Sequence, residues 1–157
     1  MKGKLTRIVC VGKLKHGIWR EAWEHYLAQA AKWRDLEIVE IKDSPASLPT
    51  ERRIEEDCAR IQASLANRDA AFALAERGRM MDSISFANFL RDWDEKEQKK
   101  LTFIVGGPFG LSPSFLDNCA GLISLSTMTW PHELCRIMLV EQIFRAGCIL
   151  NHFPYHH

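Results

Sequence analysis

The sequence predicts an α/β fold in which a mostly parallel sheet of about five or six strands is flanked by helices. Short β-branched or apolar runs alternate along the chain with segments whose apolar residues recur every three or four positions. Strands that alternate with helices favour a parallel sheet with helical crossovers. The 157 residues, 46% hydrophobic and 26% charged, exclude a disordered or low-complexity chain. We therefore predict a single domain over residues 1–157.

Five segments have the composition of strands, and each is bounded by turn-forming or polar residues. The fourth is typical of a strand buried on both faces of a sheet. In order, the five are LTRIVCV at 5–11, LEIVEI at 36–41, AAFAL at 70–74, LTFIV at 101–105 and GLISL at 121–125.

Three amphipathic helices are predicted between these strands, because apolar residues recur there at helical spacing. The first begins near Ile18 and carries three large rings on one face, which must be covered. The apolar positions are Trp19, Trp23, Tyr26, Leu27 and Ala30; then Ile54, Cys58, Ile61 and Leu65; then Phe86, Phe89, Leu90 and Trp93.

The last predicted helix runs from near Pro131 to about Ile149 and has hardly any polar face. Such a helix must be buried on nearly every side, and in a small monomer one side would face water. A second chain is the simplest cover, so we predict a homodimer. Glu141 and Arg145 stand four residues apart and are expected to pair, either in a structural role or with Arg145 also binding a phosphate.

The charge balance argues against a strongly basic nucleic-acid binder, because 21 Lys and Arg against 20 Asp and Glu leave a net charge of +1. The layout is uneven, however. Residues 1–20 hold six cations and no acid, and we expect them to offer a basic rim to phosphates.

The five cysteines include no CxxC pair, and the sequence shows no metal-ligand spacing. We therefore predict neither disulfides nor a metal site, and a reducing cytoplasm is favoured. No stretch is long enough to span a membrane.

Two loops predict a small-molecule pocket at the ends of strands. Gly106-Gly107-Pro108-Phe109-Gly110 follows a buried strand, and its paired glycines let the backbone approach a ligand, although such a sequence taken alone is more often a tight strand-to-helix turn. In the second loop, residues 125–132, hydroxyls and Trp130 can bind a polar ligand and stack on a ring. Alternatively, Thr129 or Ser126 caps the last helix.

The C-terminal tail, residues 151–157, contains Phe, Tyr and three His. Such a segment can stack on bases and donate to phosphates, or it is a frayed end or a tag remnant. We expect His16 and His25 to be surface or core residues and not catalysts.

At GGPFGLSPS, TMTWPHELCRIMLVEQIFRAG and the terminal PYH, the sequence closely resembles the ribosomal RNA large subunit methyltransferase H family, a small branch of the SPOUT methyltransferases. The resemblance extends over the whole chain, including LAERGR at 74–79. It implies a C-terminal trefoil knot, a homodimer and S-adenosylmethionine as methyl donor, with no metal. The implied cofactor contacts are Leu74, Gly106, Gly107, Leu125, Ser126, Thr127, Met128, Thr129 and Trp130.

The reaction implied by the resemblance is methylation of N3 of pseudouridine 1915 in 23S ribosomal RNA, preferably on assembled ribosomes. The partner would be RNA and not DNA or a membrane. The N3 proton must be removed or the developing anion stabilised. The catalytic candidates are Arg145, Tyr155 and His156, and the substrate-binding candidates are His132, Arg145, His152 and Tyr155.

Two positions depart from the family pattern, since Phe153 replaces a tail His and Ala75 an Asp. The identity of the proton acceptor, the use of free RNA and a tail that reaches across the dimer stay open. A non-catalytic ribosome-associated factor and a simple S-adenosylmethionine-binding module are the alternative functions.

Overall fold

The computed structural model describes residues 2–15 and 17–157, and in this part of the chain five strands alternate strictly with five helices. His16 lies outside the described residues. The strands are β1 (Gly3–Val11), β2 (Arg34–Ile41), β3 (Asp69–Met80), β4 (Lys100–Val105) and β5 (Gly121–Ser124). The helices are α1 (Gly17–Ala30), α2 (Thr50–Ser64), α3 (Ser83–Lys96), α4 (Pro113–Asp117) and α5 (His132–Leu150).

The strands form one sheet in the order β2-β1-β4-β3-β5, and every pairing between them is parallel. The predicted parallel α/β sheet is confirmed. Because all strands point the same way, they begin at one edge, here called the amino edge, and end at the other, the carboxyl edge. The loops after β1, β4, β3 and β5 therefore all emerge at the carboxyl edge, where ligands bind in such sheets.

Helices cover both faces of the sheet, because successive residues of a strand point to opposite sides. On β1, Ile8 joins a core shared with α1, α3 and α5, whereas Val9 joins a core shared with α2 and α4. β4 is buried from Leu101 to Val105, as the sequence predicted.

Helix α5 packs between α1 and α3, and none of its residues is exposed in the single chain. The prediction that it is buried on nearly every side is confirmed, but α1, α3 and the sheet supply the cover. The apolar character of α5 therefore does not require a second chain, and the homodimer stays a prediction.

Two elements differ from the sequence prediction. Strand β3 continues to Met80, but its pairing with β5 is interrupted between Leu74 and Arg79, so residues 75–78 leave the ladder and return. Helix α4 was not predicted, because five residues are too few to show a helical period. Its start is fixed by Ser112, whose hydroxyl accepts a hydrogen bond from the Phe115 amide at 3.2 Å. The trefoil knot stays a prediction.

Three of the six cations in the first twenty residues form ion pairs within the chain, so fewer of them than predicted are available for a basic rim, which stays a prediction. Lys2 lies 2.5 Å from Asp35, Arg7 lies 2.9 Å from Asp69, and Arg20 lies 2.8 Å from Glu24, measured between the charged atoms. The ammonium of Lys4 donates to the carbonyl of Glu97 at 3.1 Å. Within the described part of the chain, Lys13 and Lys15 are the two of these cations without such a partner.

Candidate functional site

A cavity of about 920 Å³ opens at the carboxyl edge of the sheet, beside the ends of β3, β4 and β5. It brings together almost all the residues that the sequence assigned to the cofactor, and we call it the cofactor cavity. Among the predicted residues, it is lined by Leu74, Gly106, Gly107, Leu125, Ser126, Met128, Thr129, Trp130 and His132. Thr127 belongs to the same loop but does not line the cavity.

One wall is the loop 106–112 after β4, which turns back on itself. The Gly110 amide donates to the Gly107 carbonyl at 3.0 Å, and Gly110 has a φ of 75°, a conformation that favours glycine. A Cβ on Gly107 would lie 3.3 Å from a methyl group of Val11, so a side chain there would crowd β1. The loop therefore presents backbone groups to the cavity.

The opposite wall is the loop 125–131, and its hydroxyls hold the loop in place. The Met128 amide donates to the Ser126 hydroxyl at 3.0 Å, and the Thr129 hydroxyl donates to Glu76 at 2.7 Å. Helix α5 begins after Pro131 without a side-chain cap. The interpretation of Ser126 or Thr129 as the helix cap is therefore wrong, because both side chains are used within the cavity wall.

The excursion at residues 75–78 forms a third wall that sequence reasoning did not assign. A Cβ on Gly78 would lie 2.5 Å from the carbonyl carbon of Ile123, so only glycine lets β3 return so close to β5. Glu76 and Arg77 line the cavity, and Arg77 is held by Asp117 at 2.7 Å. The glycine in LAERGR was the one available signal. Ala75, where the family pattern has an acid, also lines this wall.

The residues present fit S-adenosylmethionine. The volume lies in the range of about 300–1,000 Å³ that is usual for small-molecule sites. Leu74, Val105 and Trp130 supply apolar surface, and the two loops supply backbone polar groups. The carboxylates of Glu76 and Glu133 complement a ligand that carries a sulfonium and an ammonium group.

His132 lines the same cavity at the first turn of α5. Burial lowers its pKa, and the opposing effect of the nearby Glu133 carboxylate, 3.4 Å from Nδ1, is smaller. The imidazole is therefore neutral at neutral pH and able to accept a proton.

A second cavity, of about 650 Å³, adjoins the first, and Ser124 and Leu125 line both. We call it the tail cavity, because Tyr155 of the C-terminal tail and Arg145 of α5 line it. In the single chain, two of the predicted catalytic residues, Arg145 and Tyr155, thus line a different cavity from most of the predicted cofactor residues, and the third, His156, lines neither cavity.

Glu141 joins the residues of the tail cavity. Its Oε1 accepts hydrogen bonds from Nη2 of Arg145 at 2.6 Å and from the Tyr155 hydroxyl at 3.0 Å. The guanidinium of Arg145 lies 4.6 Å from the centre of the Tyr155 ring. The predicted pair of Glu141 and Arg145 is confirmed. Sequence reasoning named Glu141 as a partner but not as a site residue.

The contacts of Glu141 fix the protonation of its neighbours. Its hydrogen bond raises the pKa of Arg145. Burial, followed by the hydrogen bond to Glu141, raises the pKa of Tyr155 to about 12. Both side chains therefore keep their protons at neutral pH, and they act there as donors and not as bases.

The tail itself is folded back on the chain and is not frayed. The Phe153 amide donates to the Cys148 carbonyl at 2.9 Å, and Nδ1 of His156 lies 3.4 Å from Nη1 of Arg145. His152 turns the chain with a φ of 54° and lines neither cavity, although it was a predicted substrate contact. The ring of Phe153 rests against Trp33.

His25 is exposed on α1, as expected for a surface residue.

Neither a metal centre nor a membrane span is present among residues 2–15 and 17–157. This part of the chain contains no group of three or more His, Cys, Asp or Glu side chains that could hold a metal ion. Its helices include none that is both long enough and apolar enough to cross a membrane.

Comparisons with known proteins agree with this geometry. A family model described as "Predicted SPOUT methyltransferase" matches residues 5–156. Two curated proteins named ribosomal RNA large subunit methyltransferase H, from Desulfovibrio desulfuricans and Lawsonia intracellularis, are 43% and 39% identical over 157 residues, with full coverage of both chains. A solved structure of a probable methyltransferase from Bordetella pertussis Tohama I shares the fold, with a TM-score of 0.53, 13% identity and coverage of 90% of this chain and 95% of that one. The chain therefore belongs to the SPOUT methyltransferases and, among them, to the ribosomal RNA large subunit methyltransferase H family.

Proposed function

We propose that this methyltransferase uses S-adenosylmethionine to methylate N3 of pseudouridine 1915 in 23S ribosomal RNA, on assembled ribosomes in the cytoplasm. The observation that carries the proposal is the cofactor cavity, because three segments distant in the sequence, at 74–77, 105–111 and 124–135, converge on it. The relatives' shared name supports ribosomal RNA as the substrate.

When bound, S-adenosylmethionine supplies an activated methyl group. The task of the protein is then to hold N3 in line with that group, since positioning accounts for much of the acceleration of such a displacement. The loops 106–112 and 125–131 are braced by their own hydrogen bonds, so they are suited to orient the donor. The new N3–carbon bond forms as the carbon–sulfur bond breaks, and the N3 proton must leave.

We assign the removal of that proton to His132, with His156 as the alternative acceptor. Arg145 and Tyr155 are unsuitable as bases because both keep their protons: the hydrogen bond to Glu141 raises the pKa of Arg145, and burial together with the hydrogen bond to Glu141 raises the pKa of Tyr155. They are suited to donate hydrogen bonds to the pseudouridine or to a phosphate. His132 is neutral and lines the cofactor cavity.

We further propose that the site is completed across a homodimer. In one chain, Arg145 and Tyr155 line the tail cavity and not the cofactor cavity. A tail contributed by a partner subunit would bring such donors to the open side of the cofactor cavity. Mixing a tail-truncated variant with a variant defective in the cofactor loops tests this arrangement. Activity should return in the mixture, and its absence would contradict the shared site.

The deciding experiment measures methyl transfer to ribosomes that carry pseudouridine and to ribosomes that carry uridine at that position. We expect modification only of the former, mapped to N3 by mass spectrometry. Calorimetric titration with S-adenosylmethionine runs in parallel. Binding without any transfer to ribosomes would overturn the proposal in favour of a non-catalytic factor.

The role of His132 has its own test. His132→Gln should lower kcat while the affinity for S-adenosylmethionine, measured by calorimetry, stays near that of the wild type. His25→Gln, on the exposed face of α1, is the matched control. An unchanged kcat in His132→Gln would leave His156 as the proton acceptor.

A further inference from the structure

Two loops at the carboxyl edge lie side by side, and they expose Lys13 and Lys15, which line neither cavity, and Phe109, which lies at the mouth of the cofactor cavity. Strands β1 and β4 are paired neighbours, with Cys10 opposite Val105, so the loops after them start together. The close approach of Gly107 to Val11 shows the same proximity.

The loop after β1 presents two cations on a fixed backbone. Leu14 is 4% exposed and anchors the loop in the core, whereas Lys13 and Lys15 on either side of it are exposed. Arg136, itself buried in α5, donates to the carbonyl oxygens of Val11 at 2.5 Å and Gly12 at 2.8 Å. The start of the loop is therefore held by Arg136 and its middle by Leu14, and the two exposed lysines are available to bind an anion.

The loop after β4 presents an aromatic ring. Phe109 is 48% exposed at the mouth of the cofactor cavity, so its ring is accessible to a ligand. The guanidinium of Arg53, from α2, lies 4.8 Å from the centre of this ring. Nε of Arg53 is buried and lacks a hydrogen-bond partner in the described part of the chain. One face of the ring is thus backed by a cation while the ring remains accessible.

We propose that Lys13, Lys15 and Phe109 form the surface that holds the RNA beside its target nucleotide, and this rests on the proposed function. Lysines neutralise phosphates, and aromatic rings stack on unpaired bases, so the two kinds of group together match single-stranded RNA. A second copy of the chain fits less well, because a symmetric contact through this patch would bring its cations against those of the partner. One negative charge lies near the two lysines, because the Asp43 side chain is next to Gly12.

The first test is the salt dependence of methylation. In Lys13→Ala/Lys15→Ala, kcat/KM on ribosomes should fall, and the slope of its logarithm against the logarithm of salt concentration should become shallower by about two, one for each phosphate that a lysine no longer neutralises. Lys2→Ala/Arg20→Ala removes the same formal charge from cations that are already paired, and it should leave the slope unchanged. Asp43→Asn should strengthen binding to the ribosome.

The second test concerns the ring. Phe109→Ala should weaken RNA binding about 5- to 150-fold, as expected for loss of one stacked base, and Phe109→Trp should restore it. Calorimetry with S-adenosylmethionine should give near wild-type affinity in both variants. A loss confined to the cofactor affinity would show that the ring serves the cofactor and would overturn the RNA contact.

Failure of this inference is distinguishable from failure of the proposed function. If the wild type methylates ribosomes but the lysine variant keeps the wild-type slope, the surface is wrong and the activity stands. If the lysine or ring variants instead lose a dimer seen in the wild type by light scattering, the patch is a subunit interface and the inference is also overturned. If the wild type does not methylate ribosomes, it is the proposed function that fails.

Discussion

The loop after β1, at the carboxyl edge of the sheet, uses its charges differently from the amino edge. At the amino edge, cations and acids from different elements pair: Arg34 with Asp94, and Lys100 with Glu37 at 3.1 Å. At the carboxyl edge, Lys13 and Lys15 lie on the loop after β1 and form no ion pair with any described residue. The net charge of +1 therefore does not distinguish two kinds of charged residue: paired charges that support the fold, and unpaired charges that are available to a ligand.

This difference follows from the direction of the strands. Ligands bind beyond the carboxyl ends of the strands, and Lys13 and Lys15 are left unpaired there, although Arg77 and Arg145 in the cavity walls do form ion pairs. At the amino edge, side chains from β1, β2, β3 and α3 pair with one another. If this comparison is correct, changes at the amino edge should alter stability, and changes at the carboxyl edge should alter binding.

The largest effect on stability is expected from Arg34→Ala. Arg34 is 4% exposed, donates to the Thr6 hydroxyl at 2.8 Å and to the Lys4 carbonyl at 2.9 Å, and is paired with Asp94. Loss of one partner of a buried ion pair costs about 3–5 kcal/mol, because the other charge is left uncompensated. Chemical denaturation should report this loss, while S-adenosylmethionine affinity per folded molecule is unchanged.

The control for that prediction is Arg34→Met/Asp94→Leu, which removes both charges. It should recover much of the stability, since replacing a buried pair by apolar groups is often near neutral. A single variant as stable as the wild type would show that the amino edge does not depend on its paired charges.

Gly78→Ala is expected to act at the carboxyl edge and to affect both properties. A methyl group 2.5 Å from the Ile123 carbonyl carbon has to push β5 away from β3. Overpacking of this kind costs about 1–3 kcal/mol. Because Ser124 and Leu125 follow directly and line both cavities, S-adenosylmethionine affinity should fall more steeply than stability does. Denaturation and calorimetry on the same preparation measure the two losses.

Arg79→Ala, the exposed neighbour of Gly78 on β3, is the matched control and should bind the cofactor as the wild type does. Equal cofactor affinity in Gly78→Ala and the wild type would mean that the return of β3 does not position the cofactor loops.

The sequence predicts the parts of this molecule that rest on local patterns. Strand β4 and helix α5 are predicted to within about one residue, because apolar runs and helical periods are properties of consecutive residues. The cofactor loops were also predicted, since glycines and hydroxyls at strand ends are local signals. The helix caps and the return of β3 at Gly78 were not predicted, because both depend on contacts between residues that are not neighbours in the sequence.

The difference between the two edges could not be predicted for the same reason. Lys2 and Asp35 are 33 residues apart, and Thr129 and Glu76 are 53 apart, so no window of sequence contains both partners. A count of charges in residues 1–20 treats paired and unpaired cations alike. Only the fold distinguishes Lys13 and Lys15 from their neighbours.

The smallest effect is expected from Tyr155→Phe, which sharpens the comparison because this carboxyl-edge group is paired within the chain. Its pKa is raised from 10.0 to about 12, so the folded state favours the neutral phenol. That contribution to stability is present below pH 10 and is lost as the pH rises through about 12. Removal of the hydroxyl should cost only about 1 kcal/mol at neutral pH, the net value of one hydrogen bond.

Phenolate absorbance separates this contribution, since Tyr26 is the one other tyrosine in the chain. The wild type should show a transition near pH 12 that is missing in Tyr155→Phe. A transition that persists in Tyr155→Phe would have to come from Tyr26, and it would contradict the raised pKa of Tyr155. In the proposed reaction Tyr155 donates a hydrogen bond and does not accept the N3 proton. Tyr155→Phe should therefore lower activity without shifting the pH dependence of activity near neutrality. Such a shift would show that the phenol acts as a base.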